Sequence, residues 1–271
     1  MSLVTKISAA LTTLAMAFVA FSLCSSLTYV FNDLLDIESD RRHPRKQRRP
    51  LACGHVSVGI AIALAVALLP ISVLLAYGVG ETFLLILGAY LLLTLAYSLR
   101  LKRLVLVDCL TLASLYGLRV IAGAAAVSMT VSYWLLTFSV FLFLSLAFLK
   151  RYVEIRDTID AGVRDELHGR GYRRSDLAFV QGMGLSAGMT SVLVFALYID
   201  SPAMVELYCS PQWVWAAGVV FLYWVSRVWL KAHRGEMHDD PVVFAMTDRG
   251  SLACGALFLT AIALGMVGPA T

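Results

Sequence analysis

Asn32-Asp33-Leu34-Leu35-Asp36-Ile37-Glu38-Ser39-Asp40, followed closely by Arg41, Arg42, Arg45, Lys46, Arg48 and Arg49, sets an acidic run against a basic one at the end of a long apolar segment. On a helix, Asp33, Asp36 and Asp40 fall within an arc of about 60°, while Glu38 points away. Carboxylates held that close repel one another unless a cation lies between them. An all-oxygen set of this kind suits Mg²⁺, which takes one or two carboxylates and completes its octahedron with water and phosphate oxygens. The basic residues beyond would neutralise the rest of a phosphate's charge. The stretch therefore reads as a metal-diphosphate site at the end of a membrane helix. A merely solvated helix end with topogenic charge would account for the arginines but not for the three aligned aspartates.

Composition places the chain in the bilayer. Of its 271 residues 59% are hydrophobic and 15% charged, against about a quarter charged in soluble domains, and the mean hydropathy is +0.79. The seven prolines and the lack of any Ser/Gly-rich or Gln/Asn-rich tract exclude a linker or disordered tail, and no nucleic-acid partner is expected. Eight segments are long and apolar enough to cross hydrocarbon, near 7–31, 55–78, 81–99, 105–127, 131–151, 176–199, 212–231 and 251–269. The first lacks a small-residue cleavage site and runs straight into Asn32, so it reads as a mature helix and not a signal peptide.

Charge sets the orientation. The loops after the first, third, fifth and seventh segments hold 19 of the 22 Lys and Arg residues, and the alternate loops hold none. By the positive-inside rule that face is cytoplasmic and both termini lie outside. All acidic residues except Glu81, Asp200 and Glu206 lie on or near the same face. Topology does not require that excess, since Asp and Glu contribute little to sorting. Cys24, Cys53, Cys109, Cys209 and Cys254 are scattered and read as small apolar fillers.

Further polar groups gather on that face. Tyr97 and Ser98 end one segment, with Lys102 and Arg103 just beyond, placed to meet a phosphate or to snorkel at a helix end. Arg119 lies inside an apolar helix, where a charge is costly unless paired or facing a wet cavity, which marks it as a functional candidate or half of an ion pair. The loop that begins Lys150-Arg151-Tyr152-Val153-Glu154-Ile155-Arg156-Asp157 spaces Glu154, Asp157 and Asp160 at intervals of three, so a helical turn would align them as a second metal face. The remainder of that loop, through Arg170, Arg173 and Arg174, alternates in sign as a solvated segment does. The last loop, His233 to Arg249, reads as a polar loop closing over the site, with substrate contact by Asp239 or Asp240 as the alternative; His233, His238 and Asp239 lack the spacing of a transition-metal set.

Taken together, Asn32-Asp33-x-x-Asp36-x-x-x-Asp40 with Arg49-Pro50-Leu51 and Gly54, the Tyr97-Ser98 to Lys102-Arg103 element, Asp108, and Arg119-x-x-Ala122-Gly123 resemble the signatures of the UbiA superfamily of intramembrane prenyltransferases. Lys150-Arg151-Tyr152-x-Glu154 and the closing segment Gly235 to Arg249 are similar to the branch containing decaprenyl-phosphate phosphoribosyltransferase, and to bacterial proteins in which such a domain follows a soluble haloacid-dehalogenase-like domain. The resemblance implies an all-α membrane protein, a UbiA-like transmembrane helical bundle in one domain over 1–271, with eight spans where the family has nine. A helix or domain N-terminal to this chain is therefore expected. The family's second Asp-x-x-x-Asp motif is represented only by Glu154, Asp157 and Asp160 at different spacing.

What the resemblance implies for chemistry is a Mg²⁺-dependent transferase in a bacterial-type cytoplasmic membrane, its active site on the cytoplasmic face. Asp33, Asp36 and Asp40 would hold the metal, with Glu154 and Asp157 as further catalytic carboxylates. Asn32, Lys46, Arg49, Tyr97, Lys102, Arg103, Arg119, Lys150 and Arg151 would contact substrate. The partners implied are the lipid bilayer and a polyprenyl phosphate or diphosphate, with phosphoribosyl pyrophosphate as the donor in the phosphoribosyl branch. Two alternatives stand beside polyprenyl transfer: phosphoribosyl transfer to a polyprenyl phosphate, and a non-enzymatic carrier or structural membrane subunit whose acidic loops only meet a partner.

Overall fold

A computed structural model of the chain describes residues 3–42, 46–160, 170–201, 204, 208–237 and 240–267. Its helices are α1 (Leu3–Arg42), α2 (Val58–Val79), α3 (Glu81–Leu99), α4 (Val107–Ala126), α5 (Tyr133–Asp160), α6 (Leu177–Ile199), α7 (Pro211–His233), the short α8 (Pro241–Thr247) and α9 (Arg249–Val267). Eight of them are long and apolar enough to span a membrane, and they coincide with the eight segments expected from sequence. Many apolar side chains face outward, among them Phe18, Leu74, Leu92, Val219 and Leu259, each more than 60% exposed. A surface of that kind is costly in water and ordinary against lipid.

α1 bears out the helical reading of the acidic motif, continuing past the apolar span without a break to Arg42. α5 extends through Lys150 to Asp160, so the stretch expected to open a loop is helical. Arg151, Tyr152, Val153 and Ile155 are buried there, which gives the extra turns a packing face of their own.

The chain divides into two compact units: Met1–Lys102 with Leu118–Val131, and Arg103–Gly117 with Ser132–Thr271. In the first, α1 presents a stripe of small buried residues, Ala17, Ala20, Cys24 and Thr28, at helical spacing. Such stripes let helix backbones approach closely where lipid offers no hydrophobic drive for association. Ser72 of α2 donates to the Ala20 carbonyl at 2.8 Å. Tyr90 of α3 packs its ring against Phe21 at 4.5 Å and lies 3.2 Å from the Ser25 hydroxyl. Arg119 donates to the Tyr90 hydroxyl at 2.9 Å and its guanidinium lies over the same ring at 5.5 Å. The charge anticipated as an anomaly in α4 is thus met by a phenol and an aromatic face.

In the second unit α5, α6 and α7 share a tight seam. Ser145 donates to the Gly184 carbonyl at 2.8 Å and accepts from Trp229 Nε1 at 3.1 Å. A Cβ on Gly184 would fall 2.3 Å from the indole, so glycine is required there by contact alone. Arg227 of α7 holds Asp248 at 2.6 Å, and Asp248 also accepts from the Ser251 N–H at 2.7 Å, capping α9. The guanidinium keeps the Asp248 carboxyl well below the usual carboxylate range.

The polar centre of this unit is Asp108, at the start of α4 and fully buried. Arg151 Nε lies 2.8 Å from its Oδ2, also with no exposure. Tyr172 donates to Oδ1 at 2.7 Å. The same phenol accepts from the N–H of Leu106 at 2.9 Å, holding that residue in the left-handed region at φ 66°, a conformation a non-glycine residue adopts only at a cost.

Two outcomes are expected in thermal melts of the detergent-purified protein. Gly184→Ala should lose about 1–3 kcal/mol by overpacking against Trp229, and Trp229→Phe in the same chain should restore part of it; an unchanged melt would disprove the seam. Asp108→Asn should cost about 3–5 kcal/mol, because it removes one charge of a fully buried ion pair.

Candidate active site

The site in the first unit is built from one helix end and the loop that folds back on it. Arg41, near the end of α1, donates to the Ala52 carbonyl at 3.1 Å, and Leu51 and Ala52 are buried beneath the loop. The intervening chain makes a single turn of 3₁₀ helix over Lys46–Arg48. This return brings Arg49 back over α1, where its Nη1 donates at 2.8 Å to both Asp33 Oδ1 and Asp40 Oδ2. Asp40 is 3% exposed, so its charge is neutralised at close range and not by water.

The third aspartate has its own cation. Lys102, in the 3₁₀ turn Leu101–Arg103 after α3, donates at 2.8 Å to both oxygens of Asp36 and lies 3.4 Å from Asn32 Oδ1. Its side chain is only 12% exposed. The acidic motif and its expected phosphate-binding partners therefore do meet. The three carboxylates are nonetheless divided between two cations, and among the described residues no group of three His, Cys, Asp or Glu side chains is gathered as a metal set. Like charges part when cations are at hand.

The donor chemistry still suits Mg²⁺. Asp33 and Asp40 direct one oxygen each at a single cationic atom, which is the placement two carboxylates need to share a cation. A pair of hard carboxylate oxygens completed by water and phosphate is the usual magnesium arrangement.

Three further candidates belong to this unit. Tyr97 is half-buried in the last turns of α3. Lys46 opens the 3₁₀ turn, and its side chain lies outside the described residues. Arg119 is occupied with Tyr90, well inside α4.

In the second unit, Arg103 is exposed. Arg151, Glu154 and Asp108 form one network: Arg151 bridges Asp108 and Glu154, and Glu154 accepts from Arg170 at 3.3 Å as well. Arg170 was expected in a solvated stretch; its side chain is 18% exposed and also stands 3.9 Å from Asp108. Tyr172, two residues on, is 1% exposed. Burial, the bond to Asp108 and the neighbouring Cys109 push its phenol far above the ordinary tyrosine value, so it remains a donor at any physiological pH. Nothing in the local pattern of Arg170 to Tyr172 marked them; the demand came from Asp108, whose burial needs partners from wherever the chain can bring them.

Glu154 is thus turned to two arginines, and Asp160 lies 3.8 Å from Arg156, so the expected line of carboxylates on α5 faces separate cations. Asp157 is partly buried one turn beyond Glu154. Arg156 donates to the Ala232 carbonyl at 2.7 Å and to that of His233, closing the C-terminus of α7. Lys150 pairs with Asp240, which caps α8 through the Val242 N–H at 2.9 Å. His238 and Asp239 lie outside the described residues.

The chain is similar to several known proteins. The chain is 38% identical over 250 residues to the uncharacterized protein y4nM of Sinorhizobium fredii, covering 92% of this chain and 48% of that one, so it spans about half of that relative's length. It is 34% identical to the nodulation protein NoeC of Azorhizobium caulinodans, over 93% of this chain and 80% of that one. Decaprenyl-phosphate phosphoribosyltransferase of Mycobacterium tuberculosis is 35% identical over 88% of this chain and 76% of its own. A solved UbiA homolog from Archaeoglobus fulgidus, bound to GPP and Mg²⁺, superposes with a TM-score of 0.65 at 17% identity, covering 93% of this chain and 86% of that one, and so shares the fold. Residues 1–267 match the UbiA prenyltransferase family as a whole. With eight apolar spans and this match over nearly its full length, the chain belongs to the UbiA prenyltransferase family and is an integral membrane protein.

Proposed function

We propose that the chain catalyses a Mg²⁺-dependent transfer in which a diphosphate leaves and a polyprenyl lipid takes part, at the cytoplasmic face of the membrane. The observation that carries this reading is the pairing of Asp33 and Asp40 with one Arg49 atom beside the Lys102–Asp36 bridge. Acidic and basic groups so interleaved suit a ligand that brings both a divalent cation and a diphosphate. Asp33, Asp36 and Asp40, with Asn32 beside them, would hold the metal, whose contribution when bound is to neutralise charge on the departing diphosphate.

The chain's own residues do the rest. Arg49 and Lys102 neutralise those carboxylates in the unliganded protein, and turn to the phosphate oxygens when the substrate complex forms. Each then donates a charge-assisted hydrogen bond where negative charge grows as the carbon–oxygen bond breaks. Lys46, in the 3₁₀ turn just before Arg49, adds a third positive charge. The bonding electrons leave with the diphosphate, and the carbon left behind is taken by the acceptor's oxygen or carbon nucleophile.

Phosphoribosyl pyrophosphate as donor and polyprenyl phosphate as acceptor is the specific form favoured by the relatives, since the mycobacterial protein bears that name at 35% identity. In that form the acceptor oxygen is already ionised and no proton has to be removed. Glu154, held between Arg151 and Arg170, suits electrostatic positioning rather than proton transfer.

Membranes containing the full chain, given radiolabelled phosphoribosyl pyrophosphate, polyprenyl phosphate and Mg²⁺, are expected to yield a labelled lipid; labelled product only from an allylic diphosphate would reject the phosphoribosyl form. Asp33→Asn and Asp40→Asn should each lower kcat/KM by about 100-fold or more with melting temperature retained, and full activity in both would overturn the site. Chelation of divalent cations should stop turnover, with recovery on adding back Mg²⁺.

A further inference from the structure

A small cavity in the second unit is walled by Leu112 and Tyr116 of α4, Leu146 and Ala147 of α5, and Pro241 and Val242 of α8, with Lys150 and Asp240 at its rim. Hydrocarbon walls under one cationic rim group complement a single anionic headgroup on an apolar chain. The cation is already occupied by a carboxylate of the protein itself. Asp240 gives Oδ2 to Lys150 and Oδ1 to the Val242 N–H, so its two duties fall on separate oxygens. Losing Lys150 would leave the cap of α8 in place. Both side chains are about one-third exposed, at 34% and 30%, so a ligand reaches the pair from outside.

We propose that this rim is the anchoring point of the lipid substrate's phosphate monoester, with Lys150 as its cation and Asp240 as a built-in competitor that holds Lys150 until the lipid displaces it. The cavity, about 30 Å³, has room for the carbon next to the phosphate, against Leu112, Tyr116 and Leu146. A phosphate monoester carries a charge of about −1.5 to −2 at neutral pH and so outbids one carboxylate for the same ammonium. The proposal rests on the lipid-transferase reading above and adds the headgroup class and its competitor.

The test is equilibrium binding to the detergent-purified full chain without donor or metal, with farnesyl monophosphate as probe and farnesol and inorganic phosphate as controls. Asp240→Asn keeps the capping oxygen and removes the charge, and should tighten farnesyl monophosphate by about two- to fivefold, the worth of a partly exposed ion pair. Asp240→Ser, a second capping residue, should do the same. Lys150→Gln should weaken the monophosphate and leave farnesol unchanged. Unchanged or weaker binding in both Asp240 variants, equal loss of farnesol and its phosphate in Lys150→Gln, or inorganic phosphate binding as tightly as the lipid would each overturn the proposal. Because no turnover is measured, these failures are separate from failure of the transferase reading, which rests on Asp33 and Asp40.

Discussion

Bringing a carboxylate to the edge of hydrocarbon costs several kcal/mol unless an opposite charge goes with it, and that constraint organises both units of this protein. Asp33 and Asp40 are held by Arg49, Asp36 by Lys102, Asp108 by Arg151, Glu154 by Arg151 and Arg170, Asp240 by Lys150, and Asp248 by Arg227. The interleaved charges of the sequence are therefore a set of pairs, many of them made between elements far apart in the chain.

These pairs are of two kinds. Asp108 and Arg151 are fully buried and further fastened by Tyr172, so that bridge is part of the architecture. The pairs made by Arg49, Lys102 and Lys150 are partly exposed and involve cations suited to phosphate. The carboxylates of Asp33, Asp36, Asp40 and Asp240 neutralise these cations, which would otherwise carry unpaired charge at the edge of the apolar spans.

Much of this was legible in the sequence. Apolar length placed every span, because a membrane helix must satisfy its own backbone and so announces itself by composition. The acidic motif and Lys102 were legible because their spacing on a helix, or their place at a helix end, is a local matter. The partners of Arg119 and Asp108 were not. Tyr90 is 29 residues from Arg119, and Tyr172 is 64 from Asp108; packing chose them, and no local pattern records it. The helical continuation of α5 was hidden by its charges, since Lys150 to Asp160 reads as loop until Tyr152, Val153 and Ile155 are seen to be buried.

α1 is a single helix of 40 residues. At 1.5 Å per residue it is about 60 Å long, roughly twice the hydrocarbon thickness of a bilayer. Its apolar stretch and its three aspartates ride on one rod, with no joint between them to take up slack. A change in tilt or in membrane thickness that shifts the apolar stretch must carry Asp33, Asp36 and Asp40 with it, toward or away from the water line. Bilayer thickness is thereby written into the electrostatics of the acidic motif.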